Sequence, residues 1–413
     1  MSSYALAPMP RGVDGFRYFA GPIANPFPGQ IPSPAHLSQQ LAVGLLVSVF
    51  LMATVAAQET GLTSLFSNAI EAETLLGAQL IEGTTQKPAA QTANFGSITL
   101  NQQFPVTSET MFCIASCSKP LVSSVIFSLV EQNTLDLRTP GDKWLPCLGQ
   151  LKLTNGTPSR APNLRELLTH RGGVYSQKEK LKPTQLKAIR DFRLSLSQSV
   201  QMITQHPLIS EPGVRYAYSG AGYCLIGAIA EQATDLSIDT LLQTQLCEPL
   251  GMQSTTFFPN QHAASSPTAP SVPRVATGGN ARTPPPHLLG SEMRLPLVGG
   301  SIHTTAEDLQ RFARMVANRG EIDQTRVMTH ATWSNYLSRP YEQQRYGYGW
   351  THTVSGDHLI VSHNGSLPPA QAALKINLTT GEYTIALWTL RDPEDTTATS
   401  QFRAHLNLAM KNQ

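Results

Sequence analysis

The chain has 413 residues, 41% of them apolar and 14% charged, with Gly and Pro at 30 each. Such a composition feeds a sizeable core and excludes wholesale disorder, and at roughly 100–200 residues per domain the length suits two to three domain-sized units, or one large domain with an insertion. Lys and Arg number 30 against 28 Asp and Glu, for a formal net charge of +2, so there is no basic excess to hold a nucleic acid and none is expected as a partner.

The first feature along the chain is Leu41–Ala57 (LAVGLLVSVFLMATVAA), apolar apart from Ser48 and Thr54. It is longer than a usual signal-peptide core and slightly shorter than a comfortable membrane span. Val55 and Ala57 suit the −3 and −1 positions of a signal-peptidase site, which would start the mature chain near Gln58. The residues before the run are Pro-rich, with Arg11 and Arg17 as their only fixed positive charges, an odd prelude for a signal. Three readings stand: a cleaved signal, an uncleaved anchor, or a buried helix. The first two export the rest of the chain, periplasmic or extracellular, with membrane contact only through residues 41–57 if uncleaved.

Residues 58–76 read as a linker, over 58–69, running into an amphipathic helix. Short strand-like pieces follow at Ala78–Ile81 and Ser97–Leu100. From about Ser116 to Gln132 the residues Leu121, Val122, Val125, Ile126, Leu129 and Val130 recur at helical spacing. Pro120 places the helix start only a few residues earlier, because proline is tolerated only in the first turn. Leu164–Leu168, Arg190–Ile203, Gly222–Ala233 and Ile238–Leu246 read as further helices, and the Pro-rich 258–297 stretch as a long loop. Thr304-Thr305-Ala306-Glu307 forms a capping box for a helix that ends before Gly320. Strands return at His358–Ser362, Ala372–Leu378 and Tyr383–Leu390, the last two joined by a hairpin at Thr379–Glu382, and a final helix covers about Thr396–Met410. Strands at both ends with helices between predict an α+β fold. A mixed, mainly antiparallel sheet is built from both ends of the chain, flanked by helices, and carries an all-helical insertion.

Ser116-Cys117-Ser118-Lys119 is an S-x-x-K. Alone it is a weak signal, and a helix cap followed by a surface lysine is then the better explanation. Its place at the start of an apolar helix adds weight, since Lys119 falls one turn on, over Ser116. A serine hydroxyl is a poor nucleophile until a base takes its proton, and a lysine serves as that base only when burial and a helix dipole keep it neutral.

The stretch MFCIASCSKPLVSSVIFSLVEQNTLDL resembles the active-site region of the β-lactamase-related serine hydrolases: class C β-lactamases, D-alanyl-D-alanine carboxypeptidases, D-aminopeptidases and family VIII esterases. Further blocks follow in that family's order: TPGDKWLP at 139–146, ELLTHRGG at 166–173, EPGVRYAYSGAGYCLIGAIAE at 211–231, VGGSIHTTAEDLQRFARM at 298–315, YGYGW at 346–350 and SHNG at 362–365. The resemblance runs from about residue 70 to the end. It implies a β-lactamase/transpeptidase-like catalytic domain over 70–413, with a helical subdomain over about 120–300. Ser116 would be the acylated nucleophile, Lys119 its proton acceptor and Tyr218 a second acid/base, its phenol pKa lowered by the neighbouring ammonium. Backbone N–H groups of Ser116 and Ser366 would form the oxyanion hole. His363, Asn364 and Gly365 would line the strand along which the substrate lies, with Gly365 leaving room for it, and Gly220 would face the acyl group. Tyr216 is a nearby rival to Tyr218.

Two positions depart from the family pattern. Gly220 stands where asparagine is frequent, and His363 where a lysine often meets a carboxylate. Both shift the expected substrate from β-lactams towards esters or D-amino-acid-type amides and peptides. No cofactor is implied. The histidines His352, His358 and His363 lack the spacing and carboxylates of a metal site, so no metal is expected. His170 and His303 read as loop-holding residues. The five cysteines show no C-x-x-C and read as core, Cys117 pointing away from the Ser–Lys face. The expected function is an exported serine hydrolase acting on a small-molecule or peptide acyl substrate. The alternatives are an acyltransferase using the same acyl-enzyme, and a binding protein on this scaffold without turnover.

Overall fold

The computed structural model describes residues 61–101, 104–259, 275–276 and 292–411. The apolar run 41–57 and most of the Pro-rich 258–297 stretch lie outside these residues.

A six-stranded antiparallel sheet is the base of the fold, with strand order β2-β1-β10-β9-β8-β7. Its strands are β1 (Leu75–Thr84), β2 (Lys87–Gly96), β7 (Thr351–Ser355), β8 (His358–Leu367), β9 (Ala370–Asn377) and β10 (Glu382–Leu390). β1 pairs with β10, Leu80 opposite Ala386, so the two ends of the domain meet at the centre of the sheet as the sequence predicts. Alternation of side chains sends Leu80, Ala373, Ala386 and Trp388 to one face and Ile81, Leu374, Ile385 and Leu387 to the other. Both faces are covered, which is why Tyr383–Leu390 is buried throughout instead of alternating with exposed residues.

On the first face lie α1 (Gly61–Glu71), through Leu62, Phe66 and Ala69, and the last helix, Thr396–Lys411, through Phe402, Leu406 and Met410. Residues 61–69 are therefore a core helix and not the expected linker: its apolar residues sit at i, i+4 and i+7 and find the sheet. The large core fills the second face, where the helical insertion packs. At its centre is α2 (Ser118–Glu131), preceded by a 3₁₀ turn, Ala115–Cys117. α2 is buried on nearly every side, with Leu121, Val122, Val125, Ile126, Phe127 and Leu129 all in the core. Each such side chain contributes about 1.5–3 kcal/mol on burial.

Several boundaries differ from the sequence expectation. Ser97–Leu100 is a bridge and turn, and the strand there is the earlier β2, a polar edge strand without an apolar signal. Arg190–Ile203 is not one helix but two, α4 (Pro183–Arg190) and α5 (Leu196–Thr204), because Ser195 caps the second through Gln198. The cap of the helix Ala306–Ala317 is Thr305, whose hydroxyl accepts from Asp308 N, one residue later than the predicted box. β7 lacked a sequence signal.

Candidate active site

The nucleophile seat is built by a short strand pair and a crossing. β3 (Phe112–Cys113) pairs with β4 (His303–Thr304), and the chain then turns through Ala115 at φ +46° into the 3₁₀ turn that carries Ser116. A left-handed alanine costs roughly 1 kcal/mol and persists where its surroundings impose it. Here the imposing element is β8. A Cβ on Gly365 would lie 2.1 Å from the Ile114 carbonyl oxygen and 3.2 Å from the Ala115 Cβ. The absent side chain at 365 thus makes room for the nucleophile's own backbone, a reason for glycine that the sequence did not show. Ser118 locks the turn: its hydroxyl donates to Ala115 O at 2.6 Å and accepts from Ile302 N at 3.2 Å.

Lys119 is fully buried, and its Nζ donates to Gly299 O at 2.6 Å and to Ser116 Oγ at 3.3 Å. The same nitrogen lies 4.8 Å from the centroid of the Tyr218 ring and 5.2 Å from that of Tyr223. Burial pulls the Lys119 pKa down to about 7, and the Arg190 guanidinium pushes the same way. Cys117 and Cys224 would oppose this only as thiolates, and burial holds both thiols well up. Cys117 is core, with its thiol against His363 O at 3.2 Å. Gly299 was not singled out from sequence; a Cβ there would press on Lys119 Nζ at 3.0 Å.

Tyr218 precedes the helix α6 (Gly220–Thr234), capped by Ser219. Its phenol hydrogen-bonds Ser116, and burial raises its pKa, contrary to the expected lowering by an ammonium. The phenol stays protonated, and the group whose pKa falls is Lys119. Tyr216, the rival, is 37% exposed and one step removed. His170 holds this segment by accepting from Ser219 N on Nδ1 at 3.1 Å, its ring 4.2 Å from that of Tyr218. His303 similarly contacts Ser301 O through Nδ1 at 3.0 Å.

His363 is buried at the floor of the site. Nδ1 donates to Asn364 O at 2.9 Å and Nε2 accepts from Tyr346 OH at 3.1 Å. Burial, reinforced by Lys119, lowers its pKa to about 3, so the imidazole is neutral. With both nitrogens occupied it holds Tyr346. Asn364 is exposed and pairs with Ala373 of the α1 core, so strand alternation turns it to the sheet face opposite the nucleophile. This removes Asn364 from the expected substrate-lining set. The Ser366 hydroxyl likewise accepts from Arg403 of the last helix at 2.8 Å. Ser366 nonetheless lines the same cleft as Ser116.

That cleft also contains Gly220, and beside it a residue that sequence reasoning missed. Gln177 Oε1 accepts from Gly220 N, and a Cβ at 220 would stand 2.7 Å from it. The carboxamide absent at 220 is thus supplied from 177. Lys178, next in the chain, lies over the Tyr218 ring at 5.3 Å. Among the described residues no group of three or more His, Cys, Asp or Glu is placed to hold a metal.

A family model described as Beta-lactamase matches residues 62–409. Among curated proteins, an uncharacterized protein of Mycobacterium tuberculosis is 27% identical over 54% of this chain and 58% of its own length. A putative D-alanyl-D-alanine carboxypeptidase of Salmonella heidelberg is 22% identical over 68% of this chain and 65% of its own. The chain thus spans about three fifths of the length of these relatives. Among solved structures, EstCE1, a hydrolase with promiscuous acyltransferase activity, superposes with a TM-score of 0.69 at 18% identity, covering 85% of this chain and 98% of that one. A D-amino acid amidase from Ochrobactrum anthropi SV3 gives 0.61 at 19%, covering 86% and 99%. At such identities the structures show a shared fold. A match over residues 62–409, on the sheet, insertion and Ser–Lys–Tyr cluster described above, places the chain in the beta-lactamase family.

Proposed function

We propose that the protein hydrolyses esters or D-amino-acid-type amides and peptides through an acyl-enzyme on Ser116. The observation that carries the proposal is Lys119: a fully buried amine, 3.3 Å from Ser116 Oγ, with its pKa brought to about 7. A lysine with an unperturbed pKa would be a cation and no base. Neutral Lys119 takes the Ser116 proton as Oγ bonds to the acyl carbon. The leaving group departs with a proton passed from the Lys119 ammonium through the Tyr218 hydroxyl. Water then attacks the acyl carbon, its proton returns along the same pair, and Ser116 leaves as the alcohol. N–H groups of Ser116 and Ser366, at the shared cleft, would stabilise the oxyanion.

Turnover of β-lactams is proposed to be weak. His363, neutral and bonded on both nitrogens, presents no cation to the carboxylate beside a lactam ring. Gly220 no longer supports this point, since Gln177 brings a carboxamide to the same place. We also propose export, on the strength of the run Leu41–Ala57. Among the described residues no helix is long and apolar enough to cross a membrane.

Intact-mass analysis after exposure to a fluorophosphonate tests the acyl-enzyme. One adduct is expected, absent in Ser116→Ala. Labelling that persists in Ser116→Ala would refute the assignment.

A further inference from the structure

The cleft beside Ser116 is lined by Gln177, Ile189, Arg190, Leu297 and Ser366 among others, and among the described residues no acidic side chain lines it. Arg190, the last residue of α4, is half-buried in the wall of this cleft. Arg160, Arg193, Arg215, Arg314, Arg326 and Arg391 each pair with a carboxylate. Arg190 has no carboxylate and no hydrogen-bond acceptor among the described residues, yet burial holds its pKa below the usual guanidinium value. The adjacent Asp191 is turned away, its Oδ1 accepting from Arg193 N. A guanidinium stays charged in a protein, and it presents five donors in a planar fork suited to a carboxylate. Such a cation in a cleft wall is favourable once an anion pairs with it.

The position of the cleft says which half of a substrate it receives. The leaving group must lie against Tyr218, which hands it a proton. Tyr218, His363, Tyr346 and Lys178 do not line the Arg190 cleft. The other half of the substrate, the acyl chain on the scissile carbonyl, is what remains for it. The cleft is narrow and opens to solvent, so the acyl chain it receives is a short one.

We infer that Arg190 is an acyl-side anion receptor, and that the preferred acyl groups are short chains ending in a carboxylate, as in the half-esters of dicarboxylic acids. This rests on the Ser116 acyl-enzyme proposed above and names its substrate class. Reaction at Ser116 is unchanged: the distal carboxylate stays ionised, pairs with Arg190, and leaves with the acid product.

The test compares kcat/KM for 4-nitrophenyl half-esters of succinate, glutarate and adipate with the neutral 4-nitrophenyl esters of matching length. Wild type is expected to prefer the anionic ester about ten- to a hundredfold at the best length, as a charge-assisted contact allows. Arg190→Met should bring that ratio to one or below, and Arg190→Lys should keep part of it. Binding of the same half-esters to Ser116→Ala, read by calorimetry with and without Arg190→Met, gives a readout independent of turnover. Neutral esters hydrolysed with no anionic preference at any length would overturn the receptor and leave the hydrolase standing. No hydrolysis of any ester, with anionic binding that Arg190→Met abolishes, would overturn the acyl-enzyme and leave the receptor. A ratio unchanged in Arg190→Met would overturn the inference outright.

Discussion

Replacing Lys119 by methionine should inactivate the protein and, at acid pH, stabilise it. The unfolded chain keeps the lysine protonated up to about 10.5, whereas burial brings the folded value to about 7. Between those values the unfolded state binds more protons, so wild-type stability rises as pH rises through this window. Below about pH 7 the native state carries the whole cost of burying the cation. At 1.36 kcal/mol per pKa unit that cost is on the order of 5 kcal/mol. Methionine has similar length and no charge, so it removes the penalty. It also leaves Gly299 O, now bonded at 2.6 Å, without its donor, which costs about 1–3 kcal/mol. The net expectation is a gain of roughly 2–4 kcal/mol at pH 6, shrinking to zero or a loss by pH 10. Urea unfolding at pH 6, 8 and 9.5, followed by tryptophan fluorescence, measures it. A variant less stable than wild type at pH 6, or a difference that does not change with pH, would show that Lys119 keeps an ordinary pKa and is no base.

Further outcomes are expected. Wild-type kcat/KM should rise with pH through about 7 as Lys119 loses its proton, with no limb from His363, already neutral above about 3; Lys119→Arg should lose most activity, since arginine never deprotonates. Gly365→Ala should cost several kcal/mol and nearly all turnover, because its Cβ would lie 2.1 Å from Ile114 O and the strand or the nucleophile turn must move; a well-folded, active Gly365→Ala would contradict the crossing. On one preparation, 4-nitrophenyl butyrate should give a higher kcat/KM than nitrocefin, and the reverse order would sink the reading of His363. N-terminal sequencing of the exported protein should begin near Gln58; a soluble cytosolic product starting at Met1 would remove the export proposal.

The Ser116–Lys119 pair was legible because it is local: three residues along a helix start fix its geometry whatever the rest of the chain does. Tyr218 and the terminal strands were legible through ordered blocks and apolar runs. Other parts were hidden for physical reasons. Ile189, Phe192, Leu196, Val200 and Ile203 keep a helical spacing and are all buried, so the periodicity runs straight through the break that Ser195 makes. β2 is a polar edge strand, defined by its pairing with β1. Gln177 and Arg190 reach the cleft from a loop and a helix end, and only tertiary folding brings them to Ser116. Asn364 was grouped with its motif neighbours, although strand alternation sends it to the other face.

The pairing of β1 with β10 also governs when the site exists. A chain that lays its first strand beside its last must close a loop of nearly its full folded length before that ladder forms, and such long-range pairings are slow. During synthesis from the N-terminus, α2 can form its turns early. The strand that crosses Ile114 and fixes the bend at Ala115 is β8, held in turn by β9 and β10. Ser116 therefore gains its geometry only once residues up to about Leu390 have left the ribosome. A half-made chain carries the nucleophile without the strand that fixes its bend.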